Sequence, residues 1–208
     1  MKHKTTLIFD FDGTIADTFD VMIDLFNTIV SKYDIKPITK ELLDQYLDLP
    51  LRKRIKAHGV KYRQIPFLLK DALALHEPFL KQAVPFIGMK EILNQLSTRY
   101  TLLIVSSNKK DLIEAFLDTH HIDVFKKVYA KQTLFSKDKL LLSVLKKESL
   151  NIEEVLYIVD ELRDIEACNK IHMDILPVTY GYDKKSLLEK YYKQDMVDSP
   201  EALYQYLT

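Results

Sequence analysis

Short apolar runs alternate with helical patterns along most of the chain. Five of these runs are rich in β-branched or aromatic residues and end in polar clusters, so we predict that each forms a strand. The predicted strands are Thr5–Phe9, Tyr100–Val105, Lys127–Ala130, Val155–Val159 and Asp174–Val178. Helical spacing occurs between them, at Met89–Leu96, Asp111–Leu117, Asp138–Leu145 and Leu162–Lys170. Runs that are apolar on nearly every residue and alternate with helices indicate an α/β fold with a five-stranded, mostly parallel sheet.

One stretch interrupts this alternation. Between about Phe19 and Lys81 no strand pattern is present, whereas apolar residues recur at helical spacing. The stretch is too long for an ordinary loop, and prolines and a glycine divide it into several helices. We therefore predict a small all-helical cap domain at residues 17–84, inserted into a core of residues 1–16 and 85–208. We expect this cap to lie over the carboxyl ends of the strands, where functional residues of parallel sheets gather.

Composition narrows the class of protein. Lys and Arg together number 30, as do Asp and Glu, so the formal net charge is zero. No basic surplus favours nucleic acid or an anionic membrane as a partner. The single cysteine, Cys168, excludes an internal disulfide, and no run has the length of a signal peptide or a membrane span. We predict a cytoplasmic protein without nucleic-acid or membrane partners, whose oligomeric state stays open.

Polar residues follow the first two predicted strands of the core. Asp10 and Asp12 come directly after the strand that ends at Phe9. Two carboxylates so close together repel each other and call for a cation or a shared proton, although Asp12 and Gly13 alone are also typical of a simple turn. The segment Ser106–Asn108 offers hydroxyl and amide donors that suit an anion, and simple helix capping explains it equally well.

Two further charged groups stand later in the chain. Asp160, with Glu161 beside it and Asp164 four residues on, follows the strand Val155–Val159. Such oxygen ligands suit Mg²⁺ rather than zinc, but acidic residues in a first helical turn also stabilise the helix unaided. Lys137 stands at a predicted helix start, where a cation is electrostatically unfavourable unless an anion binds nearby. Lys139 is a rival for the same role.

In this order, the four features resemble the haloacid dehalogenase-like hydrolase superfamily, specifically its phosphatase branch with a helical cap inserted after the first motif. Residues 10–18 match the first motif of that family at every defining position, and the other three groups match its later motifs. Lys137 is preferred to Lys139 because it directly follows Phe135 and Ser136, as in one subgroup of relatives. The resemblance covers essentially the whole chain and implies a Rossmann-like core beneath the cap.

The resemblance also implies roles for the carboxylates. Asp10 would be the nucleophile that forms an aspartyl-phosphate, and Asp12 the general acid and base. Mg²⁺ would be held by Asp10, by the backbone carbonyl of Asp12 and by Asp160, while Asp164 would support the metal from a second layer of contacts. Dehalogenases of the superfamily lack an aspartate at the position of Asp12, since a leaving halide needs no proton. Phosphate-ester cleavage is therefore preferred.

The remaining implied roles concern the phosphate. Ser106, Ser107 and Lys137 would bind it, and Lys137 would also pair with Asp10. The implied substrate is a small phosphorylated metabolite such as phosphoglycolate or a sugar phosphate. The alternatives are a phosphomutase of the β-phosphoglucomutase type and a catalytically weakened binding or regulatory protein. The second of these is suggested by Val159, which stands where relatives usually carry glycine.

Other candidate residues are given ordinary structural interpretations. The predicted cap contains the basic stretch Arg52–Lys56 and two histidines, His58 and His76. A cap residue of this kind could bind an anionic substrate, but a solvated helix face is preferred for most of the basic residues and surface placement for the histidines. Cys168 follows Ile165 on an amphipathic pattern and is interpreted as a core residue.

Overall fold

The computed structural model describes residues 4–132 and 136–208, so Phe135 of the lysine motif lies outside the described residues. Seven strands lie in these ranges: β1 (Thr6–Phe9), β2 (Ala16–Asp17), β3 (Val84–Pro85), β4 (Thr101–Ser106), β5 (Phe125–Ala130), β6 (Val155–Val159) and β7 (Ile175–Pro177). The α-helices found there are α1 (Phe19–Val30), α2 (Lys40–Tyr46), α3 (Leu51–Ala57), α4 (Ile65–Leu80), α5 (Met89–Leu96), α6 (Lys110–Thr119), α7 (Lys137–Glu148), α8 (Leu162–Ile171), α9 (Lys185–Tyr191) and α10 (Pro200–Leu207).

Five strands form a parallel sheet in the order β5-β4-β1-β6-β7. The predicted α/β fold with a five-stranded parallel sheet is therefore confirmed. Strand β6 and helix α5 have the predicted bounds, and the other predicted strands differ from the observed ones by one or two residues at an end. The largest strand difference is at β5, which begins at Phe125 and has a register shift against β4 between Leu102 and Leu103.

The sheet is buried on both faces because successive side chains of its strands point to opposite sides. Leu7 and Phe9 of β1 pack on one side with α5, α6 and α10, whereas Ile8 packs on the other side with α7, α8 and α9. Strand β1 lies in the middle, with Phe9 beside Ile104 of β4 and Ile158 of β6. The residues that follow β1, β4 and β6 therefore meet at one edge of the sheet.

The helices α1 to α4 lie between β2 and β3, two short strands that pair antiparallel with each other. They have a hydrophobic cluster of their own, which contains Ile29, Val30, Ile35, Val60 and Leu68. Ala16 pairs with Pro85 and Asp17 with Val84, so this pair of strands stands at the positions where we predict the borders of the cap. The division into two domains stays a prediction. In the described ranges, no helix is long and apolar enough to cross a membrane.

Candidate active site

The polar residues predicted from the sequence come together at the carboxyl edge of the sheet. Asp10 directly follows β1, Ser106 is the last residue of β4, and Asp160 directly follows β6. All three are buried. Their proximity follows from the parallel register, since β4 and β6 flank β1 and all three strands end at the same edge.

A buried lysine connects two carboxylates at this edge. Lys137 is the first residue of α7, and its Nζ donates to Asp10 Oδ2 at 2.5 Å and to Asp164 Oδ2 at 2.6 Å. Burial disfavours the charged lysine, yet the two carboxylates outweigh it and raise the pKa of Lys137 above its usual range. Lys139, the rival for this position, is exposed on α7. Of the two, the fold therefore brings Lys137 to the site.

Asp10 is held in place from two sides. Its Oδ1 accepts a hydrogen bond from the backbone N–H of Phe11 at 2.7 Å, while Oδ2 faces Lys137. Burial raises the pKa of Asp10 well above its usual range, Lys137 opposes that effect, and Asp164 adds to it. Positive charge beside a carboxylate favours its ionised form.

Three carboxylates form a cluster that could hold a metal ion. Asp10, Glu161 and Asp164 are buried, and each offers an oxygen within 4.8 Å of the others. From the sequence, Glu161 is predicted only to stand beside Asp160. Glu161 accepts a hydrogen bond from Arg163 Nε at 2.7 Å, so α8 brings a second cation into the cluster.

Asp160, the predicted metal ligand on β6, is oriented differently. Its Oδ1 accepts from Thr14 Oγ1 at 3.2 Å and its Oδ2 from the backbone N–H of Tyr182 at 2.8 Å. Burial raises the pKa of Asp160 well above its usual range, with added contributions from the negative charges of Glu161 and Asp10. Asp160 therefore belongs electrostatically to the same buried group, although its oxygens are not in the set of three described above.

The charges of this group fit a divalent cation. Four buried carboxylates (Asp10, Asp160, Glu161 and Asp164) face two buried or partly buried cations (Lys137 and Arg163), which leaves two negative charges when all are ionised. Uncompensated buried charge is costly, and carboxylate oxygens are the ligands that Mg²⁺ prefers. The residues present therefore fit one Mg²⁺ ion.

Two glycines allow the Asp160 carboxylate to fit beneath the Asp12 turn. A Cβ atom on Gly13 would lie 2.0 Å from Asp160 Oδ2, and Gly13 also has a φ of +73°. A Cβ atom on Gly181 would lie 2.3 Å from the carbonyl oxygen of Gly13 and 2.5 Å from Asp160 Oδ2. Gly13 is part of the first motif, but Gly181 lies outside all four motifs and carried no signal in the sequence.

Asp12 is oriented by an amide at the end of β4. Asn108 Nδ2 donates to Asp12 Oδ2 at 3.0 Å and to Oδ1 at 3.3 Å, and the backbone N–H of Asn108 donates to Ser106 Oγ at 3.0 Å. Ser106 thus shapes the turn that places Asn108, and Ser107 lies half-buried between them. Asn108 belongs to the Ser106–Asn108 motif, but the motif alone did not predict its contact with Asp12.

His76 on α4 is buried, so its interpretation as a surface residue is wrong. Burial lowers the pKa of His76, the negative charge of Asp12 opposes this effect, and the positive charge of Lys109 adds to it. Its Nε2 has no hydrogen-bond partner among the described residues. Lys109 Nζ donates to the carbonyl of Leu73 at 2.6 Å, so α4 is attached over the Asp12 turn.

Cys168 is buried, as its core interpretation predicts.

The other end of the cap contacts the loop before α9. Arg54 of α3 forms a salt bridge with Asp183, whose other oxygen accepts from the N–H of Leu162 at 2.7 Å. Lys184 Nζ lies 2.7 Å from Asp44 Oδ1, and Ser186 donates to Asp48. These contacts join the cap to the segment that follows Tyr182, the residue whose N–H binds Asp160.

Comparisons with known proteins agree with this arrangement. A family model described as haloacid dehalogenase-like hydrolase matches residues 7–178. A phosphoglycolate phosphatase from Synechococcus elongatus is 28% identical over 204 residues, which are 97% of this chain and 96% of that protein. Another from Agrobacterium fabrum is 25% identical over 199 residues, or 88% and 83% of the two chains. The solved structure of a haloacid dehalogenase-like family hydrolase from Streptococcus pneumoniae superposes with a TM-score of 0.84 over 100% of both chains, at 18% identity, which shows a shared fold.

Proposed function

The chain belongs to the haloacid dehalogenase-like hydrolase family, and from that premise we propose that it hydrolyses a small phosphorylated metabolite through a phosphoryl group carried on Asp10. The family and the phosphatase class expected from the motifs are confirmed by the match over residues 7–178 and by the phosphatase relatives. The roles of the individual residues are proposals. The observation that carries them is the buried contact of Lys137 with Asp10 and Asp164 at the carboxyl edge of the sheet.

The proposed reaction has two steps. A carboxylate oxygen of Asp10 attacks the phosphorus atom, and the bond to the ester oxygen breaks as that oxygen takes a proton from Asp12. Asp12 then accepts a proton from a water molecule, which attacks the same phosphorus atom and releases inorganic phosphate and the free Asp10 carboxylate. Asn108 supports this exchange because its amide group holds both oxygens of Asp12.

The phosphate-binding residues surround the nucleophile. Lys137 offers a positive charge at 2.5 Å from Asp10 Oδ2, so a phosphoryl oxygen at Asp10 would lie within its reach. Ser106 ends β4 and Ser107 follows it at the same edge, where hydroxyl and backbone donors can bind further phosphoryl oxygens. We assign the binding of phosphate to these three residues.

We propose Mg²⁺ as the cofactor because the buried acidic group has two negative charges in excess. The Asp10 carboxylate, the Asp12 backbone carbonyl and Asp160 would hold the ion, with Glu161 within reach of Asp10 as a further ligand. Asp164 would support it while bonded to Lys137. When bound, Mg²⁺ neutralises charge on the phosphate and on the nucleophile, which lowers the repulsion between two anions.

The first test replaces the nucleophile. Asp10→Asn should abolish phosphate release from a panel of phosphomonoesters assayed with Mg²⁺, since an amide is a poor nucleophile and cannot carry the phosphoryl group. Circular dichroism and the thermal midpoint check that the fold is retained. Asp118→Asn, an exposed residue of α6, is the matched control and should keep full activity. Undiminished turnover by the Asp10 variant would exclude this nucleophile.

Substrate identity follows from the relatives only in outline. Phosphoglycolate or a sugar phosphate is the prediction made from the resemblance, and two curated relatives are phosphoglycolate phosphatases. A phosphomutase would return the phosphoryl group to a bound sugar, so product analysis with a hexose phosphate separates the two reactions. The cytoplasmic location of this protein and its lack of nucleic-acid and membrane partners stay predictions.

Val159 does not support the alternative in which this chain is a catalytically weakened binding or regulatory protein. Its side chain is fully buried in the core cluster that contains Ile8, Tyr157 and Ile165, on the α7 and α8 side of the sheet. Its backbone carbonyl accepts a hydrogen bond from the N–H of Val178 at 2.7 Å, as expected where β6 and β7 run side by side. The branched side chain is therefore accommodated by packing.

A further inference from the structure

We infer that the phosphate ester cleaved by this protein carries an apolar leaving group, which the cap binds in a cavity of about 360 Å³. The inference rests on the proposed phosphatase function and gives that function a substrate class. This class differs from phosphoglycolate and sugar phosphates, whose leaving groups are charged or rich in hydroxyls.

The cavity lies among the four cap helices. Its walls are almost entirely apolar and include Phe19, Met22, Phe26, Leu43, Leu69 and Ala72. For comparison, an engineered apolar cavity of about 150 Å³ binds benzene. An unfilled apolar cavity destabilises a protein in proportion to its volume, and ligand pockets are typically apolar with a few polar groups at defined positions. A cavity of this size and lining is therefore suited to a ligand with a substantial hydrocarbon part.

One end of the cavity adjoins the proposed nucleophile. Glu161, Arg163 and Tyr182 of the core belong to its lining. A carboxylate oxygen of Glu161 lies within 4.8 Å of one of Asp10, and the Tyr182 hydroxyl lies 2.5 Å from Thr18 Oγ1 at the start of the cap. A phosphoryl group on Asp10 would thus lie beside the core end of the cavity, and its leaving group could extend between the cap helices.

The Arg163 guanidinium at the core end of the cavity can donate a hydrogen bond to a substrate oxygen. Arg163 Nε donates to Glu161, whereas its Nη1 is buried and has no hydrogen-bond partner among the described residues. A buried donor without a partner is costly, so an oxygen near the phosphate end of the ligand would stabilise it. Arg54, the other arginine of the lining, is already bound to Asp183 and to the carbonyl of Leu49. A second anionic group deep in the cavity would lie against mostly apolar walls and lose its hydration.

The test measures kcat/KM of the full-length protein with Mg²⁺ for methyl, butyl, hexyl and octyl phosphate and for phosphoglycolate. Each added methylene that enters the cavity should raise kcat/KM about fourfold, mainly through KM, because hydrocarbon is removed from water. Hexyl phosphate should therefore be a better substrate than both methyl phosphate and phosphoglycolate.

Filling the cavity should remove this dependence. Ala72→Phe should lower the ratio of kcat/KM for hexyl phosphate to that for methyl phosphate by about tenfold or more. Ala72→Leu fills less space and should lower the ratio by a smaller factor, which keeps the test available if the larger residue prevents folding. Ala115→Phe, on the exposed side of α6, is the matched control and should keep the wild-type ratio.

The outcomes separate the inference from the proposed function. Release of phosphate from methyl phosphate or phosphoglycolate with no dependence on chain length would overturn the apolar substrate class while leaving the phosphatase intact. An equal hexyl-to-methyl ratio in Ala72→Phe and wild-type protein would do the same. If no ester is cleaved with Mg²⁺, the proposed function itself fails, and the inference fails with it.

Discussion

Gly181 has no functional group, yet the space beside its α-carbon fixes the position of the Asp160 carboxylate. A Cβ atom there would lie 2.4 Å from Asp160 Cβ and 2.3 Å from the carbonyl oxygen of Gly13, distances that real Cβ atoms do not show. Gly13 carries the turn that places Asp12. One missing side chain therefore allows the loop after β7 to close against two proposed metal ligands at once.

Substitution of this glycine should disturb the metal site specifically. Gly181→Ala is expected to lower turnover about a hundredfold, because displacement of catalytic groups by roughly 1 Å has effects of that order. Titration of activity with Mg²⁺ should show that a higher concentration is needed. The matched control is Gly59→Ala, in the cap, where φ is +82° and no atom lies within 4 Å of the added Cβ. The control should lose about 1 kcal/mol of stability and keep its Mg²⁺ dependence. Equal Mg²⁺ dependence of both variants would contradict this account of Gly181.

The candidate residues that could be predicted from the sequence stand directly after a strand or at the start of a helix. Asp10, Asp160 and Lys137 could be found because each is a polar residue at the end or start of a clear apolar pattern. The burial of His76 and the close approach of Gly181 to Gly13 and Asp160 could not be predicted, because both depend on residues distant in the chain, which no local pattern records. Both became visible only through tertiary structure.

At the scale of helices and strands, Glu148 connects the last turn of α7 to β5. Its side chain is buried, Tyr129 of β5 donates to Oε1, and Lys126 Nζ lies 2.8 Å from Oε2. These two partners lower the pKa of Glu148 to about 2. The opposite end of α7 begins with Lys137, so this contact helps to orient the helix that brings the lysine to the site.

The sign of the pH effect follows from that lowered pKa. Because Glu148 has a pKa of about 2 in the folded protein against an ordinary value of 4.5, its contribution to stability is complete above about pH 4.5 and declines as the pH falls towards 2. Glu148→Gln should lower the free energy of unfolding by about 1–2 kcal/mol at pH 7, and less at lower pH. Urea unfolding at several pH values measures this. Glu114→Gln, from an exposed pair with Lys110 on α6, should change it by less than about 0.5 kcal/mol at any pH. A pH-independent loss in the Glu148 variant would contradict the ionic account.

Elements of the sheet were easier to predict than those around it. The strands β1, β4 and β6 are continuous apolar runs because both of their faces are covered, and such runs are plain in a sequence. Helix α9 was not predicted, since it has only seven residues and its buried part is limited to Leu187 and Leu188. Short helices of this kind depend on packing against their neighbours rather than on their own periodicity.

In the molecule as a whole, the Arg54–Asp183 pair is the most buried of the ionic contacts described between the cap helices and the core. The exposed fractions of the two side chains are 11% and 5%. Asp183 also receives the N–H of Leu162 at the start of α8, next to the acidic cluster. One carboxylate therefore connects helix α3 of the predicted cap to the start of α8, next to the proposed metal ligands.

Loss of that charge should loosen the cap. Asp183→Asn keeps an acceptor for Leu162 but leaves the Arg54 guanidinium without its counter-ion, which should lower the free energy of unfolding by about 3 kcal/mol. Trypsin should also cleave the native variant faster within residues 18–83. Asp20→Asn, which breaks an exposed pair with Lys40, should cost less than about 1 kcal/mol and leave the cleavage rate unchanged. Equal effects of the two substitutions would show that the Arg54 contact does not hold the cap.

The antiparallel pair of β2 and β3 has a consequence for how such a protein can diversify. Ala16 and Pro85 face each other across that pair, so the chain leaves the sheet region and returns to it through neighbouring positions. The residues between them could be lengthened, shortened or exchanged without rerouting the strands that carry the proposed catalytic residues. Under the proposed function, substitutions within this one stretch of coding sequence could therefore alter substrate choice and leave the proposed catalytic residues in place.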